Sequence, residues 1–237
     1  MSNLHYLVPR PIRKVLFNVI KRELIDHRET VEKEIPKINL KPEHIAHSQL
    51  VIDRCELLRK LPKNGIVAEI GVDEGNFSHE IISNCRPAKL HLIDLWSTER
   101  YGQLKKEKVE NKFQDEISNR RIEINLGEST KVARSFPDSY FDWVYIDTSH
   151  SYETTFAELK EYQKKIKKNG IIAGHDYVRW SRTGFTRYGV IEAVSEFCCN
   201  FNWEIIYLTV ESDDNPSFAI KKMPSSNRVY YEVNQSQ

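Results

Sequence analysis

The run Gly65-Ile-Val-Ala-Glu69-Ile-Gly71-Val72-Asp73-Glu74-Gly75-Asn76-Phe77-Ser78 limits the folds open to this chain more than any other segment. Ile66, Val67, Ala68 and Ile70 make a short buried strand, two glycines four apart bracket a polar turn, and a helical pattern follows. The reading is strand, glycine turn, helix. Glycine suits such a turn because the backbone must bend sharply and approach a ligand closely, with a helix N-terminus behind it. The spacing is Gly-x-x-x-Gly, whereas a dinucleotide fingerprint has Gly-x-Gly-x-x-Gly, and an acid, Glu69, stands two residues before the first glycine. A carboxylate there repels a pyrophosphate and suits the cationic end of a ligand.

A chain of 237 residues, 40% of them hydrophobic, is long enough for one large α/β domain with additions and short for two full domains. Lys and Arg number 35 against 34 Asp and Glu, so net charge leaves no electrostatic footprint for nucleic acid, and a small-molecule substrate is favoured. Cys55, Cys85, Cys198 and Cys199 show no Cys-x-x-Cys spacing and read as reduced packing residues. No apolar run approaches the ~18 residues of a membrane span, and no apolar signal region follows the N-terminus, so a cytoplasmic location is expected.

Ile12, Val15, Leu16, Val19 and Ile20 recur at helical spacing among Arg10, Arg13, Lys14, Lys21 and Arg22, which predicts a basic amphipathic helix over residues 10–35. Such a helix can lie on an anionic membrane, cover its own domain or join a partner subunit, and a homodimer through the N-terminal helices is one expectation. Pro36 and Pro42 interrupt the pattern, which resumes as a helical segment from His44 to Leu61; His44 and His47 read as surface histidines. The expected organisation is a helical extension over 1–62, an α/β domain over 63–223 and a polar tail over 224–237.

Beyond Gly65, short apolar runs alternate with amphipathic helices, the signature of a parallel sheet covered on both faces. The second strand, Lys89–Asp94, ends in an acid about 20 residues beyond the glycine turn, where a carboxylate can accept from both ribose hydroxyls. Trp96 follows, placed either to cover an adenosine or to fill a hydrophobic corner. Residues 97–120 mix both signs of charge and read as a solvated helix or lid, with Tyr101 and Gly102 as hinge or substrate contacts. The third strand, 121–126, leads to Glu128 and Ser129, which face an adenine amine or, for Ser129, cap the next helix. The fourth strand runs from Tyr140 to Asp147. Lys167-Lys168-Asn169-Gly170 reads as a basic helix end with a glycine stop before a fifth strand, 171–174, that delivers His175-Asp176. The aromatic and arginine-rich residues 178–189 form a long loop suited to a substrate lid. Strands over 203–210 and 217–222 make an antiparallel hairpin at the sheet edge. The fold class is therefore α/β: a Rossmann-like, seven-stranded, mostly parallel sheet with helices on both faces, a C-terminal antiparallel hairpin and an N-terminal helical extension.

Ligands of open α/β sheets lie beyond the carboxyl ends of the strands, and Asp94, Asp147 with His150, and His175-Asp176 all fall there. Neighbouring strands lie about 5 Å apart, so Asp147 and the His175-Asp176 pair can share a ligand such as a hard divalent cation. The segments Phe141-Asp-Trp-Val-Tyr-Ile-Asp147-Thr-Ser-His150-Ser-Tyr-Glu153 and Gly170-Ile-Ile-Ala-Gly-His175-Asp176-Tyr177, with the glycine run, resemble the motifs of class I S-adenosylmethionine-dependent methyltransferases. Within these they are similar to a small-molecule family that includes metal-dependent sugar O-methyltransferases of the macrocin type. The likeness spans residues 63–222.

The resemblance implies S-adenosylmethionine as cofactor, held by Glu69, Gly71, Val72, Gly75, Asn76, Phe77 and Ser78 at the methionine end, by Asp94, Leu95 and Trp96 at the ribose, by Glu128 and Ser129 at the base, and by Asp147. It implies Mg2+ or another divalent metal on Asp147, His175 and Asp176, although His175 departs from the acid usual in such sites. The expected reaction is O-methylation of a hydroxyl on a sugar, glycan or other small metabolite, with His150 as general base, Asp147 beside it, and His175 taking over if no metal binds. On this reading Gly71→Val abolishes cofactor binding and leaves the fold largely intact. Two other readings stand beside it: a catalytically silent S-adenosylmethionine-binding module, and methylation of a nitrogen acceptor. The absence of an Asn-Pro-Pro-Tyr-like motif argues against amino groups of nucleic-acid bases, and the missing third glycine argues against a nucleotide-dependent oxidoreductase.

Overall fold

The computed structural model describes residues 9–97 and 102–224; Tyr101 and the tail residues from 225 onward, for which expectations are given above, lie outside the described residues. The chain begins with a long helix α1 (Arg10–Glu34), a short 3-10 turn at Pro42–His44, strand β1 (Gln49–Val51) and helix α2 (Arg54–Lys60). The glycine run gives β2 (Ile66–Ile70) and α3 (Asn76–Cys85), followed by β3 (Lys89–Asp94), α4 (Gln103–Lys112), α5 (Gln114–Ser118), β4 (Ile122–Leu126) and α6 (Ser129–Ala133). The second half contains β5 (Phe141–Ile146), α7 (Tyr152–Lys165), β6 (Ile166–Gly174), α8 (Val190–Phe201), β7 (Trp203–Thr209) and β8 (Phe218–Lys222).

These strands form one sheet in the order β1-β7-β8-β6-β5-β2-β3-β4, parallel except for β8, which runs antiparallel to β6 and β7. Central strands are buried on both faces, which is why they read as apolar runs. Val67 of β2 with Trp143 and Tyr145 of β5 faces a core shared with α2, α3 and α4; Ala68 and Ile70 with Val144 and Ile146 face a core shared with α7 and α8. The result is three layers, helix on sheet on helix.

Among the described residues the sheet has eight strands, not seven. The additional one, β1, lies within the stretch expected to be helical from His44 to Leu61, and it pairs Gln49–Val51 in parallel with Tyr207–Thr209. Helix cannot extend back through this segment because Asp53 is extended (φ −151°) and its side chain caps α2, accepting from the Glu56 amide at 2.7 Å. The edge strand is fastened by Ser48 Oγ on the Ile205 carbonyl and by His47 on Glu204. So the N-terminal extension contributes to the sheet and covers the hairpin edge. His44, expected on the surface, is buried.

A second departure is at Lys167–Gly170, which lies inside β6 and is no helix end. Helix α7 stops at Lys165, Ile166 already pairs with Phe141, and Lys167 bonds Asp142 at 2.8 Å. A Cβ on Gly170 would lie 2.6 Å from the Asp142 carbonyl oxygen, so the glycine serves close strand approach. The four cysteines are free; Cys85 and Cys198 are buried, and Cys55 and Cys199 are partly exposed.

Strand order reverses between β2 and β5: β3 and β4 continue to one side of β2, β5 and β6 to the other. At that point Asp147 N donates to the Ile70 carbonyl (2.7 Å), Gly71 N donates to the Ile93 carbonyl (2.9 Å), and Gly71 sits at φ +88°. A Cβ on Gly71 would stand 1.8 Å from the Asp147 carbonyl oxygen, which is backbone and cannot swing away. The expectation that Gly71→Val spares the fold is therefore corrected. Gly71→Ala should cost about 2 kcal/mol or more through the left-handed backbone and the clash, lowering the midpoint of thermal unfolding by roughly 4–8 °C for a chain of this size. Circular dichroism melting checks this, and an unchanged midpoint would refute it.

Candidate active site

The reversal of strand order opens a cleft of about 580 Å³ at the carboxyl ends of β2, β3 and β5, within the range of small-molecule sites, roughly 300–1,000 Å³. Its lining includes Glu69, Gly71, Val72, Asn76, Phe77, Asp94, Leu95, Trp96, Glu128, Ser129, Asp147 and His150. Gly75 and Ser78 do not line it. Gly75 (φ +71°) begins α3 and faces the Phe113 ring, which a Cβ would meet at 2.8 Å. Ser78 is fully buried and donates its hydroxyl proton to Glu69.

Glu69 is itself buried, and burial pushes its pKa up to about 8, the Ser78 hydrogen bond acting in the opposite sense. Beside it Arg54, the first residue of α2, holds its guanidinium 4.9 Å from the Phe77 ring centre and 3.4 Å from Asp214. Arg54 is the sole lysine or arginine among the residues lining this cleft. This end of the cleft thus offers an acid that can gain charge and a fixed cation.

At the opposite side Asp94 accepts from the Val72 and Asp73 amides (2.8 and 3.1 Å) and from the Trp96 amide (3.0 Å). A carboxylate has about four acceptor positions, so one remains for a ligand hydroxyl. Trp96 fills the hydrophobic corner: it is 5% exposed, and its indole N–H donates to the Asp73 carbonyl. Ser129 does not cap α6, as expected, but donates to Glu158 at 2.5 Å, which also accepts from Thr148 at 2.8 Å. Burial raises the Glu158 pKa to about 7. Glu128 is exposed and paired with Lys131.

The third group is a cluster of acids and histidines. His150 Nε2 lies 3.0 Å from Asp147 Oδ1 and 2.7 Å from Asp176 Oδ2. Burial alone would lower the His150 pKa, but hydrogen bonds to Asp147 and Asp176 and their charges push it up to about 9. The two carboxylates therefore favour the imidazolium form of His150. Burial would raise Asp176, yet its bonds from His150 and His175 hold it well below the usual carboxylate range. His175 is buried, with Nδ1 3.5 Å from Asp176 and 3.8 Å from Asp147, and Nε2 3.6 Å from Asp214 with no hydrogen-bond partner among the described residues. Donor atoms of Asp147, His175 and Asp176 lie within 4.8 Å of one another. His175 and Asp176 do not line the main cleft; they sit behind His150.

Residues 68–177 match the family model described as a methyltransferase domain. The match covers just under half of the 237 residues and supports a methyltransferase. No curated protein sequence matches the chain. Among solved structures the fold of this methyltransferase is similar to an S-adenosylmethionine-dependent methyltransferase from Aquifex aeolicus, with a TM-score of 0.54 at 14% identity over 77% of this chain and 94% of the other. It is also similar to a Streptococcus mutans protein in complex with S-adenosylhomocysteine, with a TM-score of 0.52 at 14% identity over 72% and 96%. The pyocyanin biosynthetic protein PhzM gives 0.54 at 9% identity over 71% of this chain, which spans 54% of PhzM.

Arg54, Glu158, Asp214 and Asn215 escape the sequence reading. Only Glu158 leaves a signal, an acid in the inward stripe Thr155, Leu159, Tyr162 of α7. The mixed-charge stretch does not line the cleft but braces the glycine turn: Lys105 bonds Asp73, Lys108 bonds Glu74 at 2.9 Å, and Lys112 bonds the Gly75 carbonyl at 3.0 Å. Val109 and Phe113 are buried against the same turn. Residues 178–189 are no free lid. Trp180 and Arg187 bridge across a small hairpin, and Glu32 of α1 accepts from Arg187, Arg179 and Trp180 at 2.6–3.0 Å.

Glu69 makes ligand-free stability depend on pH. The unfolded chain releases this proton near 4.5 and the folded chain near 8, so rising pH between those values favours unfolding. Glu69→Gln should therefore gain stability relative to the parent between pH 5 and pH 8. Urea unfolding at both pH values measures the difference, and a constant offset would show that Glu69 ionises normally.

Proposed function

We propose that this methyltransferase transfers the methyl group of S-adenosylmethionine to a hydroxyl of a sugar, glycan or similar small metabolite. The observation that carries the reading is the polarity of the cleft: acids for a cationic ligand at Glu69, one fixed cation at Arg54, and a carboxylate–imidazole cluster at the mouth of β5 and β6. Glu69 takes the ammonium of the methionine moiety and Arg54 its carboxylate, a charge-assisted, bidentate-capable contact. Asp94 takes the ribose, and Ser129 with Glu158 takes the base.

In the transfer step the acceptor oxygen attacks the methyl carbon in line with the sulfonium, the carbon–sulfur bond breaks, and the hydroxyl proton leaves. The products are a methyl ether, S-adenosylhomocysteine and a proton. Asp147 and His150 border the space where the acceptor oxygen must sit, and the proton passes to this pair when His150 is neutral. Asp147, His175 and Asp176 would hold a divalent metal: two carboxylates, one imidazole and the unpartnered His175 Nε2 near Asp214 form a fitting donor set with an outer carboxylate. Because one donor is nitrogen, the set suits Mn2+, Fe2+ or Zn2+ better than Mg2+. When bound, the metal would act as a Lewis acid that lowers the pKa of the acceptor hydroxyl.

Titration calorimetry with S-adenosylmethionine, then methyl transfer to a panel of hydroxylated metabolites with and without chelator, tests the reading. Tight binding without transfer to any acceptor would favour the silent module, and transfer confined to amines would favour a nitrogen acceptor. Arg54→Ala should weaken S-adenosylmethionine binding roughly 10- to 100-fold, the equivalent of one lost hydrogen-bonded charge, and leave decarboxylated S-adenosylmethionine nearly unaffected. Equal losses for both ligands would remove Arg54 from the carboxylate role.

A further inference from the structure

Helix α1 has two halves with different partners. Leu24, Arg28, Val31, Glu32 and Ile35 form a half-buried stripe, from which Glu32 bonds the hairpin and Arg28 lies 4.1 Å over the Trp180 ring. The first half, Arg10–Arg22, carries five basic residues, Arg10, Arg13, Lys14, Lys21 and Arg22, and no acid. The whole chain is net +1, so the remainder is net acidic and the positive charge is concentrated here. Ile12, Val15, Leu16, Val19 and Ile20 alternate with these basic residues, and each is more than half exposed, from 53% at Leu16 to 65% at Val15. No residue of α1 is buried.

At about 100° per residue these five of the six exposed large apolar side chains of Arg10–Arg22 fall within one arc of roughly 140°, and Phe17, 66% exposed, lies outside it between Arg13 and Arg10. Arg10, Lys14 and Lys21 lie opposite, and Arg13 and Arg22 border the arc. The contact of Arg22 with Asp26, at 3.9 Å with side chains 84% and 62% exposed, leaves that charge available. The arc also points to a different side of the helix from the stripe that docks on the domain, so it is not an extension of the intramolecular contact.

A second copy of the chain fits this surface poorly. Two such segments packed together would bring basic borders against basic borders, and about three turns of helix are too short for a stable two-stranded coil. An anionic lipid surface supplies both an apolar layer and negative headgroups at the required depth. We propose that Arg10–Arg22 lies in the interface of an anionic bilayer, apolar arc toward the acyl chains and basic side chains at the headgroups. The other end of the helix stays fixed, through Glu32, to the hairpin that follows His175-Asp176. Docking thus turns the hairpin side of the domain toward the membrane without unfolding it. The proposal does not depend on the acceptor chemistry above.

The test uses the full chain in co-sedimentation with vesicles of phosphatidylcholine alone and with about one third phosphatidylglycerol. Binding is expected to the anionic vesicles only, and to fall at least about tenfold when salt rises from roughly 0.1 to 0.5 M. Leu16→Asp with Ile20→Asp, and separately Lys14→Glu with Lys21→Glu, should each weaken binding at least about tenfold. All four side chains are exposed, so thermal unfolding should not change. Absence of binding to anionic vesicles, or equal binding by the variants, would overturn the proposal. A dimer in sedimentation velocity that Leu16→Asp with Ile20→Asp dissolves, without vesicle binding, would assign the arc to a second copy and overturn it equally.

Discussion

The fold and the site both depend on how closely β2 and β5 end beside each other. Gly71 lies so near the Asp147 carbonyl that no side chain fits, and the Asp147 and Gly71 amides are already committed to Ile70 and Ile93. One contact therefore fixes three strand ends in register. Asp94, Glu69 and Asp147 inherit their positions from it, because each sits at or within two residues of a locked strand end. A parallel sheet can place a ligand site at its switch point only if the crossing backbones are this close, and glycine is what lets them be.

Acids crowd the space so defined, and each is kept stable in a different way. Burial raises the pKa of Glu69 and of Glu158 by disfavouring their charge. Asp94 is solvated by backbone amides of the glycine turn. Asp147 and Asp176 share the His150 imidazolium, and Asp214 lies against Arg54. The negative charge of the cleft is thus largely masked by protons and internal partners.

The order of strands and helices was legible in the sequence because both faces of the central strands are covered, which writes them as apolar runs. Asp94, Asp147 and His175-Asp176 could be placed at one edge for the same reason: the end of an apolar run marks the end of a strand. β1 was not legible because only Val51 of its three residues is buried, and a three-residue strand is too short to show an alternation of its own beside the apolar residues Ile45, Leu57 and Leu58. Lys167–Gly170 misled because glycine marks both helix stops and close strand approach, and nothing local separates them. Arg54 and Asp214 come from segments far apart in the chain, and their meeting in the cleft depends on the docking of α2 and on the β7–β8 turn, which carry no pattern of their own. The protonation of His150 was hidden in the same way, since two carboxylates from different strand ends create it.

The remaining regularity is in the backbone. Asp73, Trp96, His150 and Asp176 are non-glycine residues with positive φ, at +54°, +38°, +60° and +56°, and all lie at or near the site. Each such residue costs about 1 kcal/mol or more. Each is held by bonds that also belong to the site: Asp73 by Lys105, Trp96 by Asp94 and the Asp73 carbonyl, His150 by Asp147 and Asp176, Asp176 by His150 and Asn215. The support for the strained loops and the groups that meet the ligand are thus the same atoms. A ligand that takes a carboxylate from His150 also removes part of what holds residue 150 in its turn, whose carbonyl accepts from Gly189. Through Gly189 and Tyr188, whose ring lies 4.7 Å from the imidazole, that change reaches the hairpin tied to α1. His150 and the N-terminal helix are in this way joined by one short path of contacts through the hairpin.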